Sequence, residues 1–271
     1  IHARDITGFY GIERFCAGED VMLPIESAEI GDVAGRRVIH LQCHLGVDAL
    51  CLARRGADVT GLDFSSTAIA SARTLAERSG VRASFIQSNV YDAAAMLPLQ
   101  AFDVVYVSWG SLNWLSDLRR WADVVANLLA PGGYLYLVEQ HPFAATMRED
   151  NGYLWPGFAW RTPSDRPIVT DMPTTYNDDP TPLINTQLHE REHPLSDIIG
   201  GLLASGLQLD FFREHEVLPW RRFSFLVPYA DRLYRLPLGR TAMPLAFSLK
   251  ASKPRERSGS NQLARASFFL G

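Results

Sequence analysis

The stretch Val38-Ile39-His40-Leu41-Gln42-Cys43-His44-Leu45-Gly46 is followed, after a helical pattern, by Val59-Thr60-Gly61-Leu62-Asp63. A short apolar run ends in a loop, a helix opens, and a second apolar run ends in a carboxylate, which is the layout of a nucleotide-binding βαβ unit. Parallel strands present their carboxyl ends to a crevice where ligands bind at the topological switch point. A ligand is therefore expected just past Leu41 and Leu62. Asp63 lies roughly 20 residues beyond the loop, where a carboxylate accepts hydrogen bonds from two ribose hydroxyls. That much fits either a dinucleotide or an adenosine ligand.

The loop separates the two. A pyrophosphate needs glycines so that the backbone can approach it, and only Gly46 occupies the expected pattern. Gln42 and His44 stand where small residues would be; they would crowd a diphosphate but can hydrogen-bond an amino-acid moiety. This favours S-adenosyl-L-methionine over NAD.

The chain resembles the class I S-adenosylmethionine-dependent methyltransferases, with His40-Leu41-Gln42-Cys43-His44-Leu45-Gly46 as the first motif, in a His-Leu-Gln-Cys-His form associated with one bacterial branch. Gly61-Leu62-Asp63-Phe64-Ser65, Phe102 to Gly110, and Leu129-Ala130-Pro131-Gly132-Gly133-Tyr134 extend the resemblance over about half the chain, in order and at family spacing. It implies an α/β fold: a Rossmann-like seven-stranded sheet with helices on both faces, an antiparallel last strand and a small cap insertion. It also implies cofactor contacts from Tyr10, Phe15, Gln42, Cys43, His44, Gly46, Asp63, Phe64, Ser65, Asn89, Val90, Ser108 and Trp109. The chain departs from the family at His40, where an acidic residue is usual, and at two glycine positions; in the family these positions touch the methionine part of the cofactor.

Composition narrows the partners. The 271 residues carry a net charge of −4 and are 47% hydrophobic, a globular composition without the basic footprint of a nucleic-acid binder. The three cysteines, Cys16, Cys43 and Cys51, include no Cys-x-x-Cys pair, which suits a reducing cytoplasm. No membrane span or signal pattern is read, and no metal site is expected, since His40, Cys43 and His44 lack a fourth ligand at suitable spacing. A monomer or homodimer acting on a small-molecule acceptor is expected.

In chain order, residues 1–33 read as a helical cover in which Tyr10 and Phe15 either lie over the cofactor or pack the helices down. Residues 34–142 read as the cofactor-binding core, with helices over 47–55, 65–80 and 117–129 and strands over 83–87 and 102–107. Asn89 ends the third strand and can offer its side-chain oxygen to an adenine amine. Ser108-Trp109-Gly110 should meet the methyl-transfer centre, with Trp109 either a wall for a cation or a core residue. Pro131-Gly132-Gly133 reads as a turn into a strand over 134–139, and His141, before a proline, points from its end as the candidate catalytic base.

Residues 143–190 lose periodicity and gain prolines and aromatics, as in a cap over a crevice. Residues 191–252 complete the sheet with a helix over 195–204 and strands over 207–213 and 243–250 paired as an antiparallel hairpin, interrupted by an insertion over 214–241. His193 and His215 are second-rank candidates for substrate contact. Residues 253–271 read as a mobile tail. The function expected is N- or O-methylation of a small molecule. The rivals are a non-catalytic module that binds S-adenosylmethionine and an NAD-dependent oxidoreductase.

Overall fold

The computed structural model describes residues 2–255. Seven strands form one sheet: β1 (Arg37–Leu41), β2 (Asp58–Asp63), β3 (Ser84–Gln87), β4 (Phe102–Val107), β5 (Leu129–Gln140), β6 (Gln208–His215) and β7 (Ala246–Ser252). Their order is β6-β7-β5-β4-β1-β2-β3. Strands β1 to β5 pair in parallel, and β7 runs antiparallel to both β5 and β6. The chain reverses its direction of travel across the sheet between β1 and β4, so the crevice opens past Leu41 and Val107.

Alternation along the strands feeds two cores. Val105, Val107, Leu135, Leu137 and Phe247 face helices α5 (Leu118–Leu128) and α6 (Leu195–Ala204), including Trp121 and Leu202. Val38, Val104, Tyr106, Tyr136 and Val138 face α1 (Ile12–Cys16), α2 (Pro24–Glu29), α3 (Val47–Arg54) and α4 (Ser66–Ser79). Covered on both faces, β4 has no call for polar alternation, which is why it reads as a nearly unbroken apolar run.

Three expectations are corrected. The segment Pro131-Gly132-Gly133 is carried inside a continuous β5 with a register shift opposite β4, because Gly132 N–H and Gly133 C=O pair with Lys253. The cap is not irregular throughout; it holds two antiparallel ribbons, Met147–Asp150 with Tyr153–Pro156 and Ile168–Asp171 with Gln187–Glu190. The insertion before β7 forms a three-stranded sheet of Val217–Leu218, Val227–Ala230 and Leu233–Arg235, whose Leu218, Phe223 and Leu226 share a small core with Ala144, Met147 and Leu245. Of the expected tail, Lys253 is pinned, its Nζ donating to the carbonyls of Ala126 and Leu129, and 256–271 lie outside the described residues.

Gly46 joins the β1 loop to α3 in the left-handed region at φ 73°. A Cβ there would sit 2.6 Å from the Phe85 ring and 2.9 Å from the Ala72 methyl. Gly46→Ala is expected to destabilise by about 2–4 kcal/mol, adding backbone strain to overpacking; a denaturant melt unchanged within about 0.5 kcal/mol would contradict this packing.

Candidate active site

The loop after β1 alternates left-handed residues, with φ of 56° at Gln42, 48° at His44 and 73° at Gly46. The backbone thus adopts a glycine conformation at two positions that carry side chains, each at a cost on the order of 1 kcal/mol. Hydrogen bonds hold it there. Gln42 Nε2 donates to the Ser111 carbonyl at 2.7 Å, and Cys43 N–H donates to the Leu62 carbonyl at 2.9 Å. Asp63 accepts from His44 N–H at 2.9 Å and from Ser65 N–H at 2.8 Å, one bond to each carboxylate oxygen. Asp63 therefore ties the loops after β1 and β2 together while keeping lone pairs for a further donor.

Beside it, Phe64 is 72% exposed. Ser65 caps α4, accepting from Ala68 N–H at 3.2 Å. Cys43 and Val90 are buried. The Asn89 side-chain oxygen, expected to face an adenine amine, accepts from Tyr91 N–H at 3.0 Å as the cap of a short 3-10 turn and keeps a second lone pair.

The N-terminal segment and the cap meet over this loop. His2 Nδ1 lies 3.1 Å from His44 Nε2, and His2 Nε2 lies 2.6 Å from Thr175 Oγ1. The Tyr10 ring packs 5.5 Å from the His44 ring, and its hydroxyl lies 2.6 Å from that of Tyr176. Thr7 donates to the Asn177 carbonyl at 2.8 Å, and Arg4 pairs with Asp179 at 3.2 Å. Burial pulls His44 down to about 3, which keeps it neutral. Phe15 takes no part in this cover. It is fully buried, with the Arg54 guanidinium 3.7 Å from its ring centroid, because Ile12 and Phe15 form the inward stripe of α1, whereas Tyr10 precedes the helix.

At the end of β4, Ser108 Oγ donates to Asp48 Oδ2 at 3.2 Å and lies 3.2 Å from His40 Nε2. Trp109 Nε1 donates to Glu26 Oε1 at 2.5 Å. The chain then wraps round Glu139, whose carboxylate accepts from the N–H groups of Gly110 (2.7 Å), Ser111 (2.8 Å) and Leu112 (3.2 Å). His40 is buried, and burial pulls it down to about 3, which keeps it neutral.

His141 projects from the end of β5, with one ring nitrogen hydrogen-bonded and the other beside a carboxylate. Nδ1 accepts from Phe143 N–H at 3.1 Å as the cap of the turn Pro142–Thr146, and Nε2 lies 3.1 Å from Glu214 Oε1, close enough for an ion pair though off the line of a hydrogen bond. Burial lowers its pKa. In this arrangement neither nitrogen is free to take a proton from an acceptor. His193 and His215 are likewise tied, to the Leu115 carbonyl and to Ser248 Oγ.

Sequence reading missed Glu26, Asp48 and Glu139. Asp48 and Glu139 are carboxylates within largely apolar elements, which is a signal; Glu26 sits in a short polar helix and carries none. Among the described residues no group of three or more His, Cys, Asp or Glu is placed to hold a metal ion, and no helix is long and apolar enough to cross a membrane.

Known proteins share this fold. Residues 38–133 match the sequence profile of a methyltransferase domain. A ubiquinone biosynthesis O-methyltransferase of Cronobacter sakazakii is 35% identical over 106 residues, 39% of this chain and 43% of that protein. The match thus spans less than half the length of that curated relative. A solved S-adenosylmethionine-dependent methyltransferase from Mesorhizobium loti superposes at a TM-score of 0.58 with 18% identity, over 88% of this chain and 99% of that one. A glycopeptide N-methyltransferase complexed with S-adenosyl-L-homocysteine gives 0.51 with 17% identity over 91% and 90%. The chain has the Rossmann-like fold seen in solved S-adenosylmethionine-dependent methyltransferases, and residues 38–133 match the profile of a methyltransferase domain.

Burial pushes Glu26 from an ordinary value near 4.5 up to about 8. A carboxyl whose folded pKa is raised favours folding fully below about 4.5 and loses that contribution as pH rises through about 8. Glu26→Gln, which cannot ionise, should therefore gain stability relative to wild type across this window, by roughly 2–4 kcal/mol at its upper end. Parallel pH profiles of the melting temperature would contradict the assignment.

Proposed function

We propose that the chain is an S-adenosylmethionine-dependent methyltransferase acting on a small molecule. The observation that carries this reading is the left-handed loop of Gln42, His44 and Gly46 tied to Asp63 at the switch point, within the segment that matches a methyltransferase domain. Its residues fit the cofactor. The Gln42 Oε1 is buried without a partner, and Asp63 retains lone pairs for ribose hydroxyls.

In this reading Asp63 holds the ribose, and Phe64, Asn89 and Val90 bound the adenine. Gln42, His44, Gly46, Ser108 and Trp109 surround the methionine part, with Cys43 and Ser65 setting the loop backbones and Tyr10 excluding water from above. Residues 1–33 and 143–190 serve as cover and cap, 34–142 as the cofactor-binding core, and 191–252 as the completion of the sheet. Bound in this way, the cofactor supplies an electrophilic methyl. The protein's share is to align the acceptor and exclude water. His141 orients the segment after β5 rather than taking a proton.

The test is Asp63→Ala. Losing a ribose hydrogen-bond acceptor, and with it the bond that ties the β1 loop, should weaken S-adenosylhomocysteine binding by about 1–3 kcal/mol; unchanged affinity removes Asp63 from the site.

A further inference from the structure

We propose that the recess between the turn Pro142–Thr146, Trp160 of the cap and the start of α6 seats an uncharged aromatic ring, which makes the methyl acceptor of this chain a neutral aromatic compound. The proposal rests on the methyl-transfer reading above and names the acceptor class for it. The recess holds about 360 Å³, within the range of small-molecule pockets. Phe143, Trp160, Leu195, Pro142 and Pro194 give it apolar walls. Among the described residues none that lines it is charged, and its polar side chains are those of Thr146 and Ser196. The Thr146 hydroxyl donates to the Phe143 carbonyl at 2.7 Å, and that of Ser196 donates to Asp197 Oδ1 at 3.4 Å. An ammonium or a carboxylate would therefore enter without a counter-charge and lose its hydration. The walls accept a neutral guest.

Two large rings face that guest already held in place. Phe143 is 45% exposed and Trp160 60% exposed, apolar surface that a ring in the recess would take from water, with offset or edge-to-face contacts added. Phe143 N–H donates to His141 Nδ1 at 3.1 Å, which fixes the turn against the end of β5. The N–H groups of Gly157 and Phe158 donate to the Thr146 carbonyl at 2.9 and 3.1 Å and join the cap to the same turn. The Arg161 guanidinium lies 5.0 Å from the Trp160 ring centroid and pairs with Asp197 of α6 at 2.6 Å, so its charge is met by a residue that does not line the recess.

The recess is assigned to the acceptor by its place on the sheet. The cofactor reading uses the carboxyl ends of β1 to β4, and no residue of the recess is among its contacts. The end of β5 comes next along the sheet, and Pro142 and Phe143 follow it after His141. In-line transfer needs the acceptor on the side of the methyl away from the sulfur, and β5 lies on the side of β4 away from β2 and β3. Every lining residue also falls outside residues 38–133, the segment that matches a methyltransferase domain, so turn, cap and α6 build this seat.

The experiment saturates the full chain with S-adenosylhomocysteine and titrates 2-naphthol at neutral pH. The charged counterparts are 2-naphthoate and 2-naphthylmethylammonium, and the saturated one is 2-decalol. 2-Naphthol should bind at least tenfold more tightly than either charged compound and roughly threefold or more than 2-decalol. Trp160→Ala and Phe143→Ala, both at half-exposed positions, should each weaken 2-naphthol tenfold or more with S-adenosylhomocysteine affinity unchanged. No binding of 2-naphthol, a charged or saturated counterpart that binds as tightly, or an affinity untouched in both variants overturns the proposal. Competition between 2-naphthol and S-adenosylhomocysteine also overturns it, since the ring would then sit in the cofactor's own site. So does a dimer that dissociates in Trp160→Ala, which would make the recess an interface between copies. Failure of the wild-type chain to bind S-adenosylhomocysteine is a separate result that removes the methyl-transfer reading, and titration of the free protein with 2-naphthol then decides the recess alone.

Discussion

The site depends on a constraint of backbone conformation. Gln42, His44 and Gly46 each turn left-handed so that the chain can leave β1, pass over the sheet end and enter α3 within five residues. Glycine does this without penalty; glutamine and histidine do not. The conformation persists because Asp63 accepts from the backbone of His44, and because Gln42 reaches the loop after β4. The same contacts fix the ends of β1, β2 and β4 relative to one another, which is the geometry a ligand at the switch point requires.

Around that fixed centre the chain adds parts from distant positions. Residues 2–10 and the cap close over His44 through paired hydroxyls, an ion pair and a histidine pair. The insertion before β7 reaches the N-terminal segment through Arg232 and through the Arg14–Asp231 ion pair at 2.8 Å. Exposed ion pairs contribute little individually. Here they link residues more than 200 positions apart.

The sheet was legible because its signals are local. β4 shows as an apolar run, α5 as a 3.6-residue stripe with Trp121, Val124, Val125 and Leu128 inside, and α4 as a hydroxyl cap ahead of an alanine-rich stretch. Asp63 was legible from its spacing. The Asn89 cap and the surroundings of the His141 nitrogens were not, since both depend on where a neighbouring N–H or carboxylate comes to rest in three dimensions. The burial of Glu26 escaped for the same reason: its bond from Trp109, 83 positions away, forms only when α2 comes to rest beside the end of β4. Phe15 was an open choice between cover and core, and the register of α1 decides it for the core.

The central claim is that the side chains at Gln42 and His44 convert a dinucleotide-type crevice into one for an adenosyl amino acid. Calorimetric titration of the wild-type chain with S-adenosylhomocysteine, and separately with NADH, tests it most directly. The account predicts one-site binding of S-adenosylhomocysteine and none of NADH. Binding of NADH, or of neither ligand, would contradict it.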